Sequence, residues 1–129
     1  MSSFEVTIPC HPSVLLKPGA QSHWTAKARA KKEDTEMGYM RALVAKGLAE
    51  PRPTLPLGAV DLWVTFMCAQ QRHRDPDNWH GRLKGFLDGI VRAGIIEDDN
   101  SEVLRSVTIE FIIDKQRAPA TVLRFTEVA

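Results

Sequence analysis

Residues 59–94 read "AVDLWVTFMCAQQRHRDPDNWHGRLKGFLDGIVRAG", and the change of period inside this run decides the fold. Its first nine residues put Val60, Leu62, Val64 and Phe66 on one side of an extended chain and Trp63 and Met67 on the other, which predicts a strand covered on both faces. After "DPDN" the spacing becomes helical. Trp79, Leu83, Phe86, Leu87, Ile90 and Val91 fall on one stripe, predicting an amphipathic helix over about 78–93 that Asp77 or Asn78 caps and Gly94 ends.

Upstream, "SFEVTIP" alternates Phe4, Val6 and Ile8 with Ser3, Glu5 and Thr7, a strand with one buried face. From about Trp24 to Leu48 the residues Met37, Met40, Leu43, Val44 and Leu48 share a helical stripe that reads as core. Three prolines and a glycine make "EPRPTLPLG" a connector. Downstream, "VLRSVTIEFIID" and "ATVLRFTEV" read as two strands, antiparallel neighbours through the short "KQRAP" connection. The expected architecture is therefore α+β (mixed α/β), a single domain over 1–129. It holds a mixed sheet of about four strands and two main helices in β-α-β-α-β-β order.

The whole chain agrees with one ordinary domain, at 129 residues with 43% hydrophobic and 26% charged residues. Seventeen Lys and Arg nearly balance sixteen Asp and Glu, for a net charge of +1, so any nucleic-acid surface must come from local clustering. Two cysteines, Cys10 and Cys68, without CxxC spacing, and no stretch resembling a signal peptide lead us to expect a reduced, cytoplasmic setting. No apolar run approaches membrane-spanning length.

The acids raise the functional question. Asp75 precedes Pro76 and is held extended, so Asp75 and Asp77 project to one side. Such a pair repels itself unless a cation lies between, and hard oxygen donors suit Mg²⁺; the plainer reading is a turn acid and a helix cap. About twenty residues on, "EDDN" adds Asp98 and Asp99. An EF-hand frame from Asp75 fails, because it would place Trp79, His80 and Phe86 where Asp or Asn, Gly and Glu are required. The four histidines lack zinc-ligand spacings with the cysteines, and no phosphate loop or GxSxG elbow occurs.

The run "DPDNWHGRLKGFLDGIVRAGIIEDDNSEV" resembles the signature of the RusA family of Holliday junction resolvases, phage-type endodeoxyribonucleases included. In that family an Asp-x-Asp-Asn segment opens a helix bearing a lysine and a Leu-Asp pair, followed by Ala-Gly, apolar residues and Asp-Asp. Asp75, Asp77, Asn78, Lys84, Leu87, Asp88, Ala93, Gly94, Asp98 and Asp99 fill those places. The stretch "WHGRL" between Asn78 and Lys84 is longer than in the bacterial form and is similar to phage relatives. "HWTAKARAKKE" is also similar to the basic helix start of phage members.

The resemblance implies a homodimeric hydrolase acting on branched DNA, Mg²⁺-dependent with Mn²⁺ able to substitute. It assigns Asp75, Asp77, Lys84 and Asp99 to catalysis and Asp75, Asp77, Asp98 and Asp99 to the metal, with Asn78 and Asp88 supporting them; one helical turn from Lys84, Asp88 also reads as its ion-pair partner. For DNA contact we single out Lys17, Lys27, Arg29, Lys31 and Lys32, a run of basic residues without an acid, and Arg72 and Arg74, which flank the acidic pair. Trp24 in the basic stretch reads as a partly buried helix anchor, with stacking on a splayed base as the alternative. A DNA-binding protein that kept the fold and lost catalysis is the competing function.

Two geometric expectations complete the reading. Gly81, Gly85 and Gly89 recur every fourth residue and should face another backbone, that of a partner subunit or a DNA strand. A straight helix over 78–93 would separate its ends by roughly 24 Å. We expect the two acidic pairs to meet within one chain, through a late helix start at "WHG"; the alternative is a composite site in which Asp98 and Asp99 meet Asp75 and Asp77 across a dimer.

Overall fold

The structure is a computed structural model that describes residues 3–21 and 23–128. Its elements are β1 (Ser3–Ile8), a 3₁₀ turn (Val14–Leu16), α1 (Trp24–Leu48), β2 (Val60–Cys68), α2 (Pro76–Gly81), α3 (Lys84–Arg92), β3 (Leu104–Ile113) and β4 (Ala120–Glu127). The four strands form one mixed sheet in the order β1-β4-β2-β3. The α+β architecture expected from the pattern of periods is present.

Val60, Leu62, Val64 and Phe66 of β2 are all buried as their alternation requires. They join Phe4, Val6 and Ile8 of β1, Leu123 and Phe125 of β4, and Leu83, Phe86, Leu87 and Ile90 of the second helical segment in one core. The opposite face of the sheet is more open than expected. Trp63 is 44% exposed there, near a Glu5–Arg124 ion pair at 3.3 Å, and β2 is covered on both sides only toward Met67 and Cys68, which are buried.

β3 and β4 are not neighbours. β3 pairs with β2 in parallel, Leu62 opposite Val107 and Phe66 opposite Phe111, whereas β4 pairs antiparallel with the other edge of β2, Val64 opposite Leu123. The connection over 114–119 therefore passes the end of β2. Backbone pairing gives the reason: between β1 and β2, β4 has a strand on each side to meet both its rows of N–H and C=O groups. The parallel β2–β3 pair needs a long crossover, and residues 69–103 with α2 and α3 supply it.

The helices correct three further expectations. Met37, Met40, Leu43, Val44 and Leu48 are exposed, and α1 instead buries Ala30, Asp34, Gly38 and Ala42. The reason lies in the neighbour. A Cβ on Gly38 would come within 2.5 Å of the Phe86 carbonyl oxygen, and one on Gly89 within 2.1 Å of the Thr35 carbonyl oxygen. α1 and α3 thus pack backbone against backbone, which admits only small residues at the contact. Gly85 faces the Cβ of Asp34 and Gly81 the ring of Pro18, so the glycine row meets its own chain and not a partner or DNA.

The second helix is also divided. It starts early, at Pro76, with Asp75 as cap instead of Asp77 or Asn78, and it breaks at Arg82–Leu83 before α3 begins. Proline suits the first helical position because its missing N–H has no partner there anyway. Gly94, at φ 83°, ends the segment in the left-handed region as expected.

Substitution at the helix contact should therefore act on folding. Gly89→Ala should lower stability by 2 kcal/mol or more, at the upper end of ordinary single substitutions. Gly47→Ala, also in α1 but with nothing within 4 Å, should raise stability by up to about 1 kcal/mol. Urea unfolding of both variants checks this, and equal effects would refute the close contact.

Candidate active site

The crossover between β2 and β3 carries all the acids singled out above. At its start the Asp75 carboxylate accepts a hydrogen bond from the Asp77 amide at 3.0 Å. This cap and Pro76 fix the first turn of α2, leaving Asp75 and Asp77 exposed with Asn78 half-buried behind them.

Lys84, the first residue of α3, lies between two carboxylates. Its Nζ is 2.7 Å from Asp99 Oδ2 and 3.0 Å from Asp88 Oδ1, and Asp88 Oδ2 is 3.5 Å from Lys31 Nζ. Lys31, Asp88, Lys84 and Asp99 thus form a chain of alternating charge across α1, α3 and the loop before β3. The spacing of Lys84 and Asp88 anticipated one link; the links to Lys31 and Asp99 needed the tertiary fold. Asp98 shapes the loop, accepting from the Asp99 amide at 2.7 Å and from Asn100 Nδ2 at 3.2 Å.

The electrostatics hold the Lys84–Asp99 pair ionised. Burial pushes the Asp99 carboxyl upward, but the hydrogen bond and charge of Lys84, with the hydrogen bond to Asp98, outweigh it and leave Asp99 below the ordinary carboxylate value. Lys84 is raised by its hydrogen bonds to Asp99 and Asp88.

Among the described residues the two acidic pairs do not gather into one cluster. Trp79, on α2 just after Asp77, packs on Phe111 of β3 at 5.4 Å between ring centroids. Asp99 and Lys84 instead line a cavity of about 350 Å³ with His80, Leu104 and Val107. The early start of α2 removes the late helix start on which closure within one chain rested. Among the described residues no group of three or more His, Cys, Asp or Glu is placed to hold a metal ion. The donor chemistry suits a hard divalent cation, but the donors are arranged as two pairs and not as one site.

The basic residues divide as well. Trp24, Lys27 and Lys31 continue, at spacings of three and four, the stripe of Ala30, Asp34, Gly38 and Ala42 that packs on α3. Past the start of α3 that stripe emerges beside Lys84. Trp24 is 72% exposed and stacks on His23, so it is not a buried anchor. Arg29 and Lys32 lie off this stripe, and Lys17 follows the 3₁₀ turn next to Pro18, which touches Gly81. In the segment leaving β2, Arg74 donates to the carbonyls of Arg72 at 3.3 Å and Gln70 at 3.0 Å, with Arg72 exposed beside it.

Two residues escaped the sequence reading. Arg82, at the helix break, lies over the Trp79 ring at 4.0 Å, and its guanidinium donates to the carbonyls of Ser13, at 3.3 Å, and Pro12. Asp34 accepts from the Ser13 amide at 2.9 Å, its carboxyl pushed up by burial. Together they clamp the segment after β1 against both helices. The available signal was Asp34 itself, the one charged residue in a row of Ala and Gly four apart.

No family model matches the chain. Over 94 residues it is 35% identical to an uncharacterized protein of Xylella fastidiosa (strain Temecula1 / ATCC 700964), a match covering 72% of this chain and 59% of that protein. The matched part is thus less than two thirds of the relative's length.

Lys84→Met should raise the Asp99 pKa toward its ordinary value near 3.8. The sign follows from linkage: a carboxyl depressed in the folded state stabilises the fold above its unfolded pKa, and this contribution fades as pH falls through the folded value. The acid limb of a pH–stability curve should therefore be shallower in the variant. Carbon-detected carboxyl titration by NMR reads the shift directly, and an unmoved Asp99 would mean that Lys84 does not set its charge.

Proposed function

We propose that the chain is a structure-selective endodeoxyribonuclease, a crossover-junction hydrolase that cuts phosphodiesters at four-way or other branched DNA in recombination, repair or phage DNA processing. The observation that carries the reading is Lys84 Nζ held 2.7 Å from Asp99 Oδ2. It joins the start of a helix to a loop fifteen residues later and sets a fixed cation beside a carboxylate; Lys31 stands next to it through Asp88, and Lys27, Arg72 and Arg74 add further cations. Those side chains supply phosphate contacts, which give affinity without sequence information. Lys84 offers positive charge where negative charge develops as the phosphodiester breaks.

Mg²⁺, or Mn²⁺ in its place, would be held by Asp75 and Asp77 with Asp99 or Asp98 once the two pairs are brought together, as in a site composed across two subunits, and would activate water and neutralise phosphate charge. The separation of the two acidic pairs favours a second reading, a DNA-binding protein of the same fold without catalysis. A homodimer belongs to the first reading, because a four-way junction presents paired strands to two sites. The exposed apolar row of Met37, Met40, Leu43, Val44 and Leu48 on α1 supports association, since a contiguous apolar patch of this kind marks contact surfaces.

Cutting and binding are separable. The protein should cut a labelled four-way junction with Mg²⁺, should not cut it in EDTA, and should leave linear duplex largely intact. Asp77→Asn should lose at least a hundred-fold in rate while still shifting the junction in a gel. Junction binding without cutting in the wild type at any Mg²⁺ or Mn²⁺ concentration would select the second reading, and absence of both would refute the two together. Val44→Glu should shift sedimentation toward monomer, and an unchanged sedimentation coefficient would remove α1 from the interface.

A further inference from the structure

On the other side of α2 from the Lys84–Asp99 pair lies a cavity of about 420 Å³, walled by His11, Gln70, Arg72, Arg74, Trp79 and Arg82 among others. Among the described residues its three guanidinium groups make no close ion pair, although the charge of Asp34 acts on Arg82. None has a carboxylate oxygen within 4 Å, the ion pairs being confined to Lys31, Lys84 and Arg124. Arg74 Nε is moreover buried without a hydrogen-bond partner, although the terminal nitrogens of the same side chain are both engaged. A buried donor left unmet is costly, and an anionic oxygen would meet it.

The remaining walls are planar. Arg82 is flattened over the Trp79 ring at 4.0 Å with two of its nitrogens fixed on backbone carbonyls, so it is a rigid layer and not a swinging charge. Trp79 is braced in turn by Phe66, at 4.7 Å between ring centroids, and His11, at 5.1 Å. His11 Nε2 lies 2.7 Å from the Met67 carbonyl oxygen, which places the proton on that nitrogen and leaves Nδ1 as an acceptor. Burial, with Arg82 and Arg74 nearby, lowers the histidine pKa and keeps the ring neutral.

We infer that this cavity is a nucleotide pocket, taking one unstacked base and its phosphate from a single-stranded part of the DNA. Guanidinium groups meet the phosphate, and the fixed Arg82–Trp79 layer and His11 meet the base; such a combination of cation and plane is how single strands are held without sequence readout. A duplex keeps its bases stacked and cannot enter, whereas strands at a branch point are easily splayed. The inference rests on DNA being the substrate. It adds that the protein grips an unpaired nucleotide beside the acids of α2.

Tryptophan emission tests it. In a Trp24→Phe, Trp63→Phe background Trp79 is the remaining emitter of the three tryptophans. Titration in EDTA with an eight-residue oligothymidylate should quench it at least ten-fold more tightly than an abasic oligomer of equal length and phosphate count. A blunt duplex should not quench it. Arg74→Gln and Arg72→Gln, with circular dichroism melts matching the parent, should each weaken the quench by ten-fold or more. Equal affinity for the abasic oligomer would overturn the pocket in favour of a phosphate clamp, and equal affinity for an oligoglutamate peptide would overturn it in favour of an acidic protein partner. Junction cutting is assayed in parallel: cutting without the quench sinks the pocket alone, and loss of both sinks the pocket together with the nuclease.

Discussion

The closeness of α1 to α3 is the constraint on which the rest of the molecule depends. With Gly38 against Phe86 and Gly89 against Thr35, the two backbones meet with no side chain between them at those points. This brings Lys31 to Asp88, lets Asp34 reach the segment after β1, and turns the large apolar residues of α1 outward. A bulkier contact would part the helices by a few ångströms and break each of these links at once. The site is thus tied to the packing of the core, because the charge chain spans the seam between two helices and no one element carries it.

The periods along the chain made much of the architecture legible. The alternation around Val60–Phe66 and the three-and-four spacing around Phe86–Ile90 located a strand and a helical segment, and Gly94 marked where the helix stops. The errors share one cause. Hydrophobic periodicity reports that a face is apolar, but it does not report what the face touches. On α1 the larger apolar row is exposed and the row of Ala and Gly is buried, because the neighbour is a glycine-bearing helix and not a side-chain-rich sheet. The order of β3 and β4 was hidden for a similar reason, since a short connection suggests a hairpin whether or not an interior place beside β2 remains to be filled.

At the site, spacing along one helix foretold the Lys84–Asp88 pair, and the acids were recognisable as a set. Their division into two pairs was not, because it follows from where α2 starts and breaks. Asp75 takes the cap and Pro76 the first position, and Arg82 is drawn to the carbonyls of Pro12 and Ser13, contacts with residues some seventy positions away. No local pattern encodes an attraction of that range. Arg82 and Asp34 were missed because each acts on a segment that is distant in the chain.

The pairing of β1 with β4 sets a condition on how the chain is made. Ser3 lies opposite Thr126 and Ile8 opposite Thr121, so the first strand of this sheet in chain order has its neighbour in the fourth. Until β4 is synthesised, β1 has no strand beside it, β2 lacks one edge, and the apolar residues Phe4, Val6 and Ile8 have no complete core to enter. Contacts so far apart in sequence are slow to form because the loop-closure entropy is spent before they reward it. Until β4 emerges, the nascent chain therefore presents unpaired β1 and β2 edges, and such edges are where aggregation begins. The sheet is complete only once β4 is available.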